Sequence, residues 1–176
     1  DIEQLEPLLE SETVRLVVLS SVLNMPTGSL APEENRRAIA QLLGRHGTWV
    51  LENDSHTDLA FEAGATPFRD LLDPDRLIVY STFEKTIGPE APYGYVLSRQ
   101  LTLHLQRHFL LRAFRLSPIR QKAIARLYSN GRIDQHLLVL RRLLRESAVS
   151  TTQLLREPLG DSLQWAEPQG GATIWV

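Results

Sequence analysis

The stretch Leu77-Ile78-Val79-Tyr80-Ser81-Thr82-Phe83-Glu84-Lys85-Thr86-Ile87-Gly88-Pro89 decides how this chain is read. Its first four residues are a short apolar run bounded by polar and turn residues, which predicts a buried strand. Hydroxyls and a lysine follow at once, so polar side chains are delivered at the strand's C-terminal end. The lysine stands out in this composition. The chain holds 17 arginines and only two lysines, Lys85 and Lys122. An arginine keeps its proton, whereas a lysine amine can lose one and attack a carbonyl to form a Schiff base. Lys85 therefore reads in two ways with equal weight: an amine held for a carbonyl compound, or a plain surface cation.

Working outward, Val14 to Ser20 is a near-continuous apolar run, which predicts a strand buried on both faces. A turn cluster follows, Asn24-Met25-Pro26-Thr27-Gly28-Ser29. Pro32-Glu33-Glu34 opens a helix with Pro and acids in its first turn, an apolar stripe of Ile39, Leu42 and Leu43, and Gly47 past its end. Trp49-Val50-Leu51 predicts another buried strand, running into Glu52-Asn53-Asp54-Ser55-His56. Residues 59–75 read as a loop with a short helix. Strands near 14–20, 48–52, 77–82 and 93–97, alternating with helix and loop, predict an α/β fold with a mostly parallel sheet.

Beyond residue 98 the pattern is helical. Leu101, Leu105 and Phe109 share a face. Ser117-Pro118 is an N-cap followed by Pro at the first helical position, and that helix should run to Tyr128 and stop at Asn130-Gly131. Arg132 to Glu157 contains no Pro or Gly and predicts one long helix carrying Leu137, Leu140 and Leu144. Leu163-Gln164-Trp165 and Ala172 to Val176 read as two strands joined by Glu167-Pro168-Gln169-Gly170-Gly171.

Composition narrows the functional classes. At 176 residues and 43% hydrophobic the chain can bury a core, and no apolar run reaches membrane-spanning length. With no cysteine, disulfides, thiolate metal sites and a Cys nucleophile are excluded. The start Asp1-Ile2-Glu3 is unlike a signal peptide, so a cytoplasmic location is the expectation. Residues 1–98 carry 16 acids and 7 bases, whereas residues 99–176 carry 12 bases and 5 acids. Arg99 to Arg145 holds 11 bases against Asp134 alone. Without interleaved aromatics for base stacking, this stripe reads as a solvated face or as a surface docked on the acidic half. His104 and His108 have the spacing of a helical metal pair but lack a following acid, so they read as solvated. Ser55, His56 and Asp58 are triad residue types, yet adjacency in sequence does not make triad geometry.

Several segments, taken in order, resemble a known family. They are Asn24-Met25-Pro26-Thr27-Gly28, Glu52-Asn53-Asp54, Ser81-Thr82-Phe83-Glu84-Lys85, Tyr93-Gly94-Tyr95, Ser117-Pro118, Asp134-Gln135-His136-Leu137 with Leu140-Arg141-Arg142, and Pro168-Gln169-Gly170-Gly171 before Trp175. The pattern resembles the second half of a fold-type-I aminotransferase domain dependent on pyridoxal 5'-phosphate (PLP). It is most similar to the version fused to a GntR-type winged helix in MocR-type transcription regulators. The resemblance implies part of the large, PLP-binding-type domain over residues 1–115, with a mostly parallel sheet and helices. Connecting helices and the start of an α+β small domain would occupy 116–176. It also implies a fragment, flanked in the whole protein by a winged helix, a glycine-rich phosphate loop and the rest of the small domain. A homodimer is implied, with PLP or a small amino compound as effector, DNA contacted only through the winged helix outside this chain, and no membrane.

The resemblance assigns roles residue by residue. Lys85 takes the Schiff-base position. Asn53 takes the position beside the pyridine nitrogen, where the family has an Asp; Asp54 is adjacent but, by strand alternation, faces the other way. Asn24 or Met25 takes the position that holds the ring oxygen, and Ser55 or His56 that of its tyrosine partner. Thr82 takes a phosphate-binding hydroxyl position. Glu84 stands for a serine, Glu90 for a glycine and Pro92 for an arginine. Four departures at one site, with packing motifs intact, imply a fold that was kept and a chemistry that was lost. The leading reading is thus an effector-sensing domain with a degraded PLP site and no turnover expected. The alternatives are a working PLP-dependent aminotransferase and a catalytically dead dimerisation scaffold.

Overall fold

The structure is a computed structural model and describes residues 2–11, 13–62, 64–113, 116–162 and 164–176. Helix α1 (Ile2–Glu10) precedes strand β1 (Leu16–Ser20), the short hairpin strands β2 (Leu23–Asn24) and β3 (Ser29–Leu30), and helix α2 (Glu33–His46). Then come β4 (Trp49–Asn53), three single 3-10 turns, β5 (Leu77–Thr82), β6 (Gly94–Ser98) and helices α3 (Thr102–Leu111), α4 (Pro118–Ser129) and α5 (Arg132–Leu159).

The main sheet has the order β1-β4-β5-β6. Its first three strands are parallel, with Val17 opposite Val50 and Leu51 opposite Ile78. Strand β6 runs antiparallel to β5, with Thr82 opposite Gly94. The sheet is therefore mostly parallel, as the alternation predicts. Helix α2 makes the β1-to-β4 crossover, a connection that parallel strands require. Gly47 ends α2 in the left-handed conformation, and its N–H caps the carbonyls of Leu43 and Gly44. The core lies on the α1/α2 side, where Leu9, Leu42, Leu43, Val50, Leu77 and Val79 are buried together. Fully burying such a side chain contributes roughly 1.5–3 kcal/mol, so this layer fixes the strands on which the polar ends sit.

Register matters for the site. Ser20 pairs with Asn53 and Asn53 with Tyr80, so the three parallel strands end at one common edge. The residues after each strand, Ser21, Asp54 and, two residues further on, the Phe83–Lys85 run, leave the sheet at that end.

Helix α5 is continuous over 28 residues, and Ser117 caps α4 by accepting the Arg120 N–H. Four features differ from expectation. Helix α1 was not read; it forms because Ile2, Leu5 and Leu9 share a face that packs on the core. The turn cluster at 24–29 is a hairpin. Strand β1 is covered on one face only: Val17 and Leu19 are half-buried against the core, while Leu16 and Val18 are 44% and 61% exposed. The two terminal strands are not formed. Residue 163 lies outside the described residues, and 172–176 form no strand among the described residues; Ala60 and Gly170 make an isolated bridge just before them. Apolar alternation supplies a strand's side chains, but a ladder also needs an adjacent edge. The proposed division after residue 115 falls on residues outside those described.

Candidate functional site

At the end of β4 side chains alternate, and so do their tasks. Glu52 is fully buried. Its Oε1 accepts the Ser21 hydroxyl at 2.7 Å and the Phe68 N–H at 2.7 Å, while Oε2 has no hydrogen-bond partner. Burial pushes its carboxyl above the ordinary carboxylate range, against the opposing pull of Ser21 and Arg69. Asp54, two residues on, shares that side. Its Oδ2 pairs with Arg69 at 2.7 Å and accepts the Tyr95 phenol at 3.4 Å, and its Oδ1 accepts the Thr57 hydroxyl at 2.6 Å. Burial, with the Asp54 charge added, pushes the Tyr95 phenol up. Asp54 is therefore committed to the fold and cannot stand in for Asn53.

Asn53 lies between them in sequence and faces the other way. Its Oδ1 accepts the Ser55 N–H at 3.1 Å. The side chain is a neutral amide, with its N–H groups and one further oxygen lone pair left to offer. It can donate to an unprotonated ring nitrogen, but it carries no negative charge to keep that nitrogen protonated.

His56 sits in the turn after β4, half-buried. Burial and then the Lys85 charge hold its imidazole below the ordinary value. The structure thus brings His56 and Lys85, 29 positions apart in sequence, within electrostatic reach of one another. Lys85 is exposed on a compact turn in which Phe83 O accepts the N–H groups of Thr86 and Ile87, and Glu84 O accepts that of Gly88. Thr82 is inside this turn: its hydroxyl donates to Tyr93 O at 3.2 Å and accepts the Glu84 N–H at 3.2 Å. Glu84, Glu90 and Pro92 are exposed. The Phe83 ring packs against Tyr95 and Tyr128, tying the turn to β6 and α4.

Asn24 ends β2, half-buried, with its carbonyl accepting the Gly28 N–H at 2.8 Å. The Met25 sulfur lies against Gly171. The Asn24 side-chain amide makes no hydrogen bond among the described residues.

The chemistry of this donor set fits PLP in part. An exposed amine at Lys85, an N–H donor at Asn53 and an unengaged amide at Asn24 suit a ring bearing a carbonyl. The phosphate end does not fit within this chain: Thr82 is engaged, Glu84 and Glu90 add negative charge, and the nearby guanidinium of Arg69 is paired with Asp54. No step through the cofactor follows from these residues.

Other candidates separate. His104 and His108 are exposed on α3, and among the described residues no group of metal-ligating side chains is assembled. Ser55 is buried, but no hydrogen bond joins the side chains of Ser55, His56 and Asp58 among the described residues. Burial, with Asp54 close by, raises the Asp58 carboxyl. Part of the basic stripe docks on the acidic half. Arg99 pairs with Asp75, Arg145 with Glu62, and Arg141 donates to Asp58 O at 2.6 Å. The roles of Arg69, Arg141 and Gln169 were not singled out in the sequence. The only signals were an i, i+4 pair of arginines and the Pro-Gln-Gly-Gly run. No helix among the described residues is long and apolar enough to cross a membrane.

Comparison with known proteins agrees with the fold. The family model for aminotransferase class I and II matches residues 1–176. The chain is 30% identical over 171 residues to the probable rhizopine catabolism regulatory protein MocR of Rhizobium meliloti, covering 94% of this chain and 35% of that protein. It is 28% identical over 153 residues to the HTH-type transcriptional regulator YisV of Bacillus subtilis, covering 86% and 32%. The chain thus spans about a third of the length of these regulators. Among solved structures, LysN, the alpha-aminoadipate aminotransferase of Thermus thermophilus, superposes with a TM-score of 0.86 at 22% identity, covering 97% of this chain and 45% of LysN.

Proposed function

We propose, from the premise that this chain belongs to the aminotransferase class I and II family, that it is the effector-sensing part of a MocR/GntR-type transcription regulator whose PLP site has lost its catalytic set. In the whole protein the bound effector, PLP or a small amino compound, biases an attached winged helix that makes the DNA contacts. A homodimer in the cytoplasm is the proposed working form.

The observation that carries the reading is Asn53. Its Oδ1 already accepts the Ser55 N–H, and its amide is neutral, so the position that must hold a ring proton brings no negative charge to it. PLP, when bound, supplies an electron sink through that protonated ring. Asn53 leaves the sink unsupported, while Lys85 still offers an amine for capture. Capture without turnover is a sensor's behaviour.

A second reading, a working aminotransferase, is favoured by the exposed Lys85 amine beside His56. The visible spectrum of the full-length protein with and without PLP tests the proposal, together with borohydride trapping and an amino-transfer assay. Weak, Lys85-dependent binding without transfer is the expected result. Tight trapping with measurable transfer puts the enzyme first, and no binding of PLP or amino compounds leaves the scaffold. The isolated 176-residue chain is expected to purify without cofactor.

A further inference from the structure

We infer that Gln169 is a positioning residue for the ligand site, because it stitches the loop that carries Asn24 to the loop that carries His56. Its backbone N–H donates to Gly28 O at 2.7 Å, and its side-chain Oε1 accepts the Leu30 N–H at 2.7 Å. Both partners belong to the hairpin that carries Asn24. On its other side, Gln169 O accepts the Phe61 N–H at 2.9 Å, and the Gly171 N–H donates to Leu59 O at 3.0 Å. Those partners follow His56 directly in the turn after β4. One residue beyond α5 thus bonds both loops that approach the ring position. Among the described residues it makes no hydrogen bond to Asn24 or His56 itself.

The stitch is close because of the next residue. A Cβ at Gly170 would lie 2.7 Å from Ala60 Cα and 2.8 Å from Leu59 O, so only glycine lets the two backbones meet. Gly170 is buried, whereas the Gln169 side chain is exposed. An exposed acceptor contributes little to global stability. Its use is local: it fixes the spacing of the two loops, and with it the separation of Asn24 from His56 and Lys85. The side-chain bond uses only an acceptor oxygen, which a glutamate also has.

This inference rests on the proposal that the effector sits among Asn24, His56 and Lys85, and the test separates the two. In the full-length protein, Gln169→Ala and Gln169→Glu are compared with the parent by amide hydrogen exchange without ligand, by thermal unfolding, and by titration with PLP. Gln169→Ala is expected to speed exchange at Leu30 and to lower PLP affinity about three- to ten-fold, the worth of one hydrogen bond, with the unfolding transition nearly unmoved. Gln169→Glu is expected to restore both. Unchanged exchange at Leu30 in Gln169→Ala, or equal loss in both variants, overturns the inference. If the parent takes up neither PLP nor an amino compound, the proposed effector site fails, and exchange at Leu30 still decides whether Gln169 holds the hairpin. Loss of affinity without faster exchange also overturns it, since it marks a direct ligand contact.

Discussion

The loops after β4 and β5 leave the sheet at the same edge but are held differently. The β4 loop is held from outside. Asp54 is locked to Arg69 and Thr57, Arg141 and Arg145 reach from α5 to the carbonyls of Asp58 and Phe61, and Gln169 and Gly171 bond its far end. The β5 loop is held mainly from within, by turn hydrogen bonds around Phe83 and by Thr86 and Ala91, which are buried. Its charged side chains, Glu84, Lys85 and Glu90, point outward. The first loop is a structural joint, and its carboxylates serve the fold. The second is a self-contained turn whose tip can change without disturbing the domain. Substitutions that alter ligand chemistry should therefore separate from those that alter stability.

The largest effect should appear where the β4 loop faces the ligand. Asn53→Asp keeps an oxygen for the Ser55 N–H and turns the remaining amide into an acceptor for a ring proton. Pro92→Arg adds a second cation to the β5 loop, which otherwise carries Lys85 as its one base. Restoring both should raise PLP affinity in the full-length protein by about 2–5 kcal/mol, roughly 30- to 5,000-fold, as expected for regaining buried charge-assisted contacts. Because both changes act on one ligand, the double variant should gain more than either single one. Spectroscopic titration measures this; an unchanged affinity in the double variant breaks the assignment of Asn53.

On the opposite side of the same strand end, Asp54→Ala should cost about 2–4 kcal/mol of stability, because it strips Arg69, Thr57 and Tyr95 of a shared, largely buried partner. Urea unfolding reads the loss. A cost below about 0.5 kcal/mol, the level of an ordinary surface change, would erase the distinction between the loops.

What the sequence disclosed follows the same division. Strand positions, the α2 stripe, the Ser117 cap and the unbroken α5 were readable because each rests on local periodicity or capping chemistry. Helix α1 was missed because its apolar face is short and makes sense only against α2. The terminal strands were over-read because a ladder depends on a neighbour that sequence pattern does not reveal. At the site, Lys85 stood out by composition and Asn53 by the family resemblance. The joints did not stand out. Arg69, Arg141 and Gln169 act by reaching residues 15, 83 and 108 or more positions away, and such bonds leave no periodic trace.

Glu52 sharpens the contrast at a smaller scale. Its folded carboxyl is raised above the ordinary value of 4.5, chiefly by burial. The native state therefore binds that proton more tightly than the unfolded chain does. The stability it contributes is fully present below about pH 4.5 and is lost as pH rises through the folded value. Glu52→Gln keeps an oxygen for Ser21 and Phe68 and removes the buried charge. It should flatten this fall and gain about 1 kcal/mol at neutral pH, the low end of what replacing a buried charge yields. Urea midpoints measured from pH 4 to pH 8 test the sign; a variant less stable than the parent at neutral pH would show Glu52 to be paired as an anion.

The smallest effect on stability should come from Lys85 itself. It is exposed and makes no ion pair or side-chain hydrogen bond among the described residues, so Lys85→Ala should move the unfolding free energy by less than about 0.5 kcal/mol. Two other readouts should move. Borohydride trapping of PLP should be lost, since Lys85 is the one lysine on that loop among the described residues. The His56 imidazole, held low by burial and secondarily by the Lys85 charge, should titrate at a higher pH in the variant, though still below its ordinary value because burial remains. A proton NMR titration of the His56 ring follows the shift. An unmoved His56 would place Lys85 out of its reach and dissolve the pairing of the two loops; an upward shift with unchanged stability would establish Lys85 as a residue that touches the site without supporting the fold.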